Sequence, residues 1–257
     1  MKTHCGTFNM KFATYNIMFG MRGNSLLLNV LGHFAIHGVH SRNLTDYLSR
    51  YNKQAVQLAL ETNAEVISFN EVLGTLRNDE IINQFRKNDY NFFSWGAAGH
   101  YSQPLDIGTL IASKKEFERI PFYLPMANKM GGGAGACAIY LKDKNIVSLA
   151  VHFGLKEKIR VKQIEAVVDF LEKKKSEGRR IVLMGDFNSD EYTLNEDERF
   201  KRLGLKSANE IPTFQFMGII TPNKSIDNIF YGPRLRLKER GVSGGYSDHK
   251  LVWADLE

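Results

Sequence analysis

Asn16, Glu71, His152, Asp186, Asn188, Asp227, Asp248 and His249 are scattered along a 257-residue chain, yet each stands at the edge of a short apolar run or within one: FATYN, EVISFNE, VSLAVH, IVLMGDFN, SID and GYSDH. Carboxylates and amide oxygens are hard ligands that suit Mg²⁺ or Mn²⁺, and imidazole exchanges protons near neutral pH. Taken singly, each residue has an ordinary explanation: Asn and Asp at strand ends form turns, Glu charges a surface, and a lone His is a satisfied polar group. Six apolar segments that each deliver one or two such groups require all of those explanations to hold at once. Side chains at matching ends of adjacent strands converge on one rim of a sheet, where open α/β folds bind their ligands.

The elements that must position these groups follow from hydrophobic periodicity. Strands are expected at Lys11 to Ile17, Glu65 to Asn70, Gly108 to Ala112, Ala136 to Leu141, Ile146 to His152, Ile181 to Asp186, Ser225 to Tyr231 and Lys250 to Leu256. Helices are expected at Leu44 to Thr62, Asp79 to Lys87 and Glu157 to Ser176; in the last, Ile159, Ile164, Val167, Val168 and Leu171 recur at helical spacing and form an apolar stripe that belongs to a core. Short apolar runs alternating with helices, with no repeat or low-complexity tract, point to a layered α/β or α+β architecture. The chain is long enough for a full core, and a single domain over residues 1–257 is expected. The segments 20–41 and 126–135 give no clear element, and the glycines at 131–133 lack the ending of a phosphate loop and read as a flexible connection.

The series TYN, NEV, VHF with RVKQ in the following helix, GDFNSD, SIDNIF and SDHKLV, in this order from Phe12 to Val252, resembles the endonuclease/exonuclease/phosphatase superfamily. That resemblance implies a four-layered α/β sandwich, two mixed β-sheets packed face to face with helices outside. It also implies metal-dependent phosphoester hydrolysis, which must gather negative charge on a pentacoordinate phosphorus, activate water and stabilise a leaving oxygen. Glu71, Asp248 and the amide oxygen of Asn16 would then hold Mg²⁺ or Mn²⁺. His249 would contact the scissile phosphate or act as a base, with Asp227 orienting its imidazole. By the same resemblance Asp186 positions or deprotonates the attacking water, Asn188 donates to the developing phosphorane, and His152 contacts the phosphate or assists the leaving group. Asn70 stands where most members of the superfamily have glutamine, Asn228 where an aromatic residue usually follows the strand aspartate, and Leu251 where proline is frequent; none of these departures removes a catalytic group.

Composition narrows the substrate. The formal net charge of +6 favours a polyanionic partner, and basic residues gather at 172–180, 200–206 and 233–240, each of which alone reads as a solvated face or helix end. A nuclease acting on DNA or RNA as a monomer is the expectation; a lipid or inositol phosphate phosphoesterase is the alternative, with the apolar, histidine-bearing segment 24–43 approaching a membrane surface. His33, His37 and His40 in that segment are spaced as a helix-borne metal site could be, but read more simply as loop histidines. Without an apolar signal core or a membrane-spanning stretch, and with two cysteines in no metal or redox spacing, a cytoplasmic location is expected.

Overall fold

A computed structural model describes residues 9–17, 42–74, 81–98, 107–127, 132–216, 219–220 and 224–257. Two six-stranded mixed sheets dominate it. The first contains β1 (Met10–Asn16), β2 (Val66–Leu73), β3 (Phe92–Ala97), β4 (Ile107–Ser113), β13 (Leu237–Ser243) and β14 (Leu251–Leu256), in the order β13-β14-β1-β2-β4-β3. The second contains β5 (Glu118–Ile120), β6 (Gly135–Leu141), β7 (Ile146–His152), β8 (Arg180–Asp186), β9 (Lys206–Ser207) and β12 (Asp227–Tyr231), in the order β5-β6-β7-β8-β12-β9. A small ribbon pairs β10 (Gln215–Phe216) with β11 (Ile219–Ile220). Each large sheet has one parallel pair at its centre, β1 with β2 and β7 with β8, and antiparallel neighbours elsewhere.

Strand alternation builds four layers. Met10, Phe12 and Val66 of the first sheet meet Ile139, Val182, Met184 and Ile229 of the second in one apolar cluster between the sheets. The opposite faces are covered by helices. On the first sheet, Ala13, Tyr15, Ile67 and Phe69 pack against Ala55, Val56 and Ala59 of α1 (Arg42–Glu61) and Phe85 of α2 (Asn83–Arg86). On the second, Leu149, Val151, Leu183 and Phe230 pack against α3 (Glu157–Ser176) and Phe200 of α5 (Glu198–Leu203), while the short α4 (Glu191–Glu196) adds Leu194. The α3 stripe is the one expected from its spacing: Ile164, Val167, Val168 and Leu171 are buried, each contributing about 1.5–3 kcal/mol by leaving water.

Several expectations are corrected. Strands β3, β5, β9, β10, β11 and β13 were not expected; β13 occupies part of the basic 233–240 segment, and Lys238 and Arg240 project from an exposed edge strand, where charge guards against edge-to-edge pairing. Among the described residues, the helix expected at Asp79 to Lys87 is regular only over Asn83–Arg86. Gly132 and Gly133 do more than connect. The Gly132 carbonyl accepts from Gln163 Nε2 at 2.8 Å, and a Cβ on Gly133, whose φ is +86°, would overlap the backbone of His152 and Phe153. The segment 24–41 with its three histidines lies outside the described residues. No described helix is long and apolar enough to cross a membrane.

Candidate active site

The register brings the two parallel pairs to a common end. In the first sheet Asn16 is paired with Asn70, so Glu71 follows one step beyond. In the second, Asp186 is the middle of a rung that has His152 on one side and Asp227 on the other. Asp227 therefore sits at the start of its strand, not inside it as the expected span Ser225 to Tyr231 implied: β12 runs antiparallel to β8, so its first residue meets the last of β8.

Local backbone departures aim the side chains. Simple alternation would point Asn70 and Glu71 to opposite faces. The β2–β4 register slips between Phe69 and Val72, and Glu71 takes φ +57°, so this bulge turns both side chains toward the seam between the sheets. Asn188 likewise takes φ +46°, and its backbone N–H donates to Asp186 Oδ1 at 2.8 Å. Gly185 has φ +136°, and a Cβ there would overlap the Val151 carbonyl, so only glycine lets β8 lie this close to β7 ahead of Asp186.

Asn16 links the sheets: its Nδ2 donates to Asp186 Oδ2 at 2.9 Å and to Glu71 Oε1 at 3.2 Å. His152 Nε2 stands 3.5 Å from Asp186 Oδ2 and 3.6 Å from Glu71 Oε1. On the other side of Asp186, His249 Nδ1 is 2.8 Å from Asp227 Oδ2, and its Nε2 is 3.8 Å from both Asp186 Oδ2 and Asp248 Oδ1. The eight residues singled out in the sequence thus form one continuous polar cluster. One N–H of the Asn188 amide donates to the Phe153 carbonyl at 2.8 Å.

Other residues hold this cluster, and the sequence did not mark them for that role. Asn70, fully buried, accepts from the Asp186 N–H at 3.1 Å and donates to the Val151 carbonyl at 3.1 Å and Thr109 Oγ1 at 3.0 Å, clasping the second sheet to the first. Tyr15 Oη accepts from the backbone N–H groups of Tyr246 and Ser247 at 2.6 and 3.0 Å. Ser247 Oγ donates to the Asn16 carbonyl at 2.7 Å and accepts from the His249 N–H at 2.9 Å. The loop carrying Asp248 and His249 is thereby fastened to β1. Thr213 Oγ1 accepts from the Asp227 N–H at 3.0 Å, and the Phe214 ring packs edge-on against the His249 imidazole at 5.1 Å. The available signal was a polar residue inside an apolar strand, as at Asn70.

Burial and crowding set the charges. Burial alone would lower the His249 pKa, but Asp227, Asp186 and Asp248 together raise it well above the ordinary range. Burial raises the Asp227 carboxyl, and the His249 charge opposes this. Burial also pushes Asp248 up to about 6, opposed by His249 and reinforced by Glu71. The buried Asp248 Oδ1 has no hydrogen-bond partner.

Two sets of groups bear on metal binding. Ligand atoms of Asp186, Asp227 and His249 lie within 4.8 Å of one another; His249 Nδ1 and Asp227 Oδ2 share a hydrogen bond, while Asp227 Oδ1 is buried without a hydrogen-bond partner. Glu71 and Asp248 instead bring two mutually repelling carboxylates together, one with an unpartnered oxygen, and a hard dication suits them. A cluster rich in carboxylates and imidazole at the seam of two mixed sheets narrows the family. A family model, Endonuclease/Exonuclease/phosphatase family, matches residues 13–249. The chain belongs to the endonuclease/exonuclease/phosphatase family. Members of this family are metal-dependent hydrolases of phosphoester bonds. Solved structures share the fold at low identity. An endonuclease/exonuclease/phosphatase from Beutenbergia cavernae superposes with a TM-score of 0.71 at 17% identity, covering 98% of this chain and 72% of that one. ANGEL2, a 2′,3′-cyclic phosphatase, gives 0.68 at 15%, covering 97% and 95%. The human Nocturnin catalytic domain gives 0.62 at 14%, covering 97% and 93%. No match was found among curated proteins.

Proposed function

We propose that the chain is a Mg²⁺- or Mn²⁺-dependent phosphodiesterase that cleaves nucleic acid by in-line attack of water, acting as a single catalytic domain and as a monomer. The observation that carries the reading is the position of Asp186 between two different environments, with the Asn16–Glu71 pair on one side and the His249–Asp227 pair on the other. Glu71, Asp248 and Asn16 would hold the cation, which supplies charge neutralisation at the phosphoryl oxygens when bound.

The remaining chemistry falls to side chains. Asp186 accepts a proton from water; its oxygens already accept from Asn188 N–H and Asn16 Nδ2, which fixes the carboxylate plane. His249, held by Asp227, presents Nε2–H to a phosphate oxygen, so the raised imidazole favours phosphate contact over the role of base. The free N–H of the Asn188 amide donates to the phosphorane. His152, beside Glu71 and Asp186, contacts the phosphate or assists the leaving oxygen.

Nucleic acid is favoured over lipid by the net charge of +6 and by the relatives: ANGEL2 has been solved with adenosine-2′,3′-vanadate. The test is a panel of single-stranded and duplex DNA, abasic DNA, RNA, sphingomyelin and inositol phosphates, each with Mg²⁺ or EDTA. Cleavage of a nucleic acid, abolished by EDTA and restored by Mg²⁺ or Mn²⁺, is expected. Turnover of sphingomyelin or an inositol phosphate alone would replace the substrate assignment, and full activity in EDTA would remove the metal.

A further inference from the structure

The three basic segments, far apart in sequence, meet at one pole of the second sheet. Arg180 opens β8 and pairs with Ile146 at the start of β7, so the turn 142–145 adjoins it. Tyr231 closes β12 and pairs with Lys206, which brings 200–206 and 233–236 to the same end. Lys175 Nζ donates to the Leu203 carbonyl at 2.9 Å and Arg234 Nη1 to the Gly178 carbonyl at 2.9 Å, tying the segments together. This pole is the end of β8 opposite Asp186, separated from it by a seven-residue strand, about 20 Å.

Charge is segregated to match. Residues 142–144, 172–180, 200–206 and 233–236 hold 12 of the 34 Lys and Arg but three of the 28 Asp and Glu, a net +9; since the whole chain is +6, the other residues sum to −3. Some of these cations are neutralised locally: Lys174 by Glu177, Arg202 by Glu172 and Arg236 by Glu257. Among the described residues Lys173, Lys175, Arg179, Lys206 and Arg234 have no carboxylate within 4.0 Å, and Lys173, Lys206 and Arg234 are exposed. Among the described residues, the exposed large apolar side chains, Tyr123, Leu155, Val161, Ile211 and Tyr246, all fall outside these segments.

We infer that this pole is a second binding surface for nucleic acid, engaging the phosphate backbone without reading sequence and holding a polymer whose scissile bond lies at Asp186. The inference rests on the nuclease reading for its substrate. A concentrated, partly unpaired cationic surface fits a polyphosphate chain, whereas a membrane-docking face would set apolar side chains among its cations. The net positive charge of the molecule is thus not that of its active site; it belongs to a surface that only a long substrate reaches.

The test separates binding from catalysis. Binding of a fluorescent oligonucleotide of ~30 nucleotides and one of ~4 is measured over a range of salt in EDTA, for the native chain, for K173Q/K206Q/R234Q at the pole, and for K158Q/K162Q at the opposite end of α3. The pole variant is expected to bind the long oligonucleotide about tenfold or more weakly at low salt, with the salt slope reduced by about 0.7–0.9 for each phosphate that the protein no longer neutralises. Its binding of the short one should be unchanged. An unchanged slope and affinity for the long oligonucleotide would overturn the inference, as would equal losses for both lengths, or binding to phosphatidylserine vesicles in place of oligonucleotide. Because no turnover is measured, failure of nucleic-acid hydrolysis in the substrate panel leaves this result independent.

Discussion

Replacing Tyr15 by Phe removes one oxygen and should uncouple the active-site loop from β1. The ring itself stays packed, edge-on to Phe69 with centroids 6.1 Å apart. What disappears is the acceptor for two backbone N–H groups. The Ser247 N–H is buried, and leaving it unsatisfied costs about 1–3 kcal/mol. Tyr246 is 41% exposed, so its N–H can turn to water and adds less. The expected loss of about 2–4 kcal/mol is survivable against a typical total of about 5–15 kcal/mol. The loop can relieve it only by moving, which displaces Asp248 and His249; a shift near 1 Å costs about 10²-fold in turnover. A second signature reads the hydroxyl itself. Burial raises the Tyr15 hydroxyl from 10.0 to about 12. A phenol whose folded pKa is raised contributes stability that is fully present below pH 10 and lost as pH rises toward 12, about 3 kcal/mol for this group. Tyr90, also raised by burial, loses stability in the same alkaline range in both proteins, so the difference between native chain and Tyr15→Phe isolates Tyr15. Urea unfolding at pH 8 and pH 11, with phosphodiester turnover at pH 8, reads all three effects. Native turnover in a variant with native stability would refute the clamp.

Three further outcomes follow from the same geometry. Gly185→Ala places a Cβ into the Val151 carbonyl at φ +136°, so β7 and β8 must separate; a loss above about 3 kcal/mol in urea unfolding is expected, and a loss below about 1 kcal/mol would show the close approach to be dispensable. Asp227→Asn removes the largest of the three charges that raise His249, so the limb of the pH–rate profile reporting His249 should move to lower pH while turnover falls about 10²-fold or more; an unmoved limb would mean that another group titrates. Asp248, held up near 6, must be ionised to bind a cation. Mg²⁺ affinity, measured by calorimetry, should therefore weaken toward tenfold per unit as pH falls below about 6 and level off above it; affinity independent of pH from 5 to 8 would exclude Asp248 as a ligand.

Helix α3 and the central strands were legible because each buries a continuous apolar stripe or run whose period survives in the sequence. Eight polar residues were legible because they interrupt those runs at their ends. Edge strands were not: β13 mixes Lys238, Glu239 and Arg240 with small residues, as an edge open to water permits. The bulge at Glu71 was also hidden, since a positive φ on glutamate leaves no composition signal. Asn70 and Tyr15 were read as parts of strands, which they are, but their polar atoms reach across to elements 81 and more than 230 positions away. Such pairings are set by tertiary approach and not by local pattern. The basic segments were visible as three clusters; that they share one pole depends on the register of β7, β8, β12 and β9.

The two ends of the sandwich are held together by different forces. Away from the site, Met10, Ile139, Ile146 and Leu256 fill the space between the sheets, and shape complementarity among apolar groups tolerates small readjustments. At the site end the sheets are joined by directional bonds: Asn16 to Asp186, and Asn70 to the Asp186 N–H and the Val151 carbonyl. Each of these partners is almost fully buried, so breaking one bond strands a polar group without water to replace it. The seam therefore has few alternative arrangements of comparable energy. A carboxylate whose two oxygens are already fixed by Asn188 and Asn16 does not need to reorganise when charge develops beside it, and such preorganisation is what electrostatic stabilisation of a transition state requires. In this fold the Asn16–Asp186 bond both joins the sheets and orients the carboxylate, so the alignment of the seam and the preorganisation of Asp186 rest on one contact.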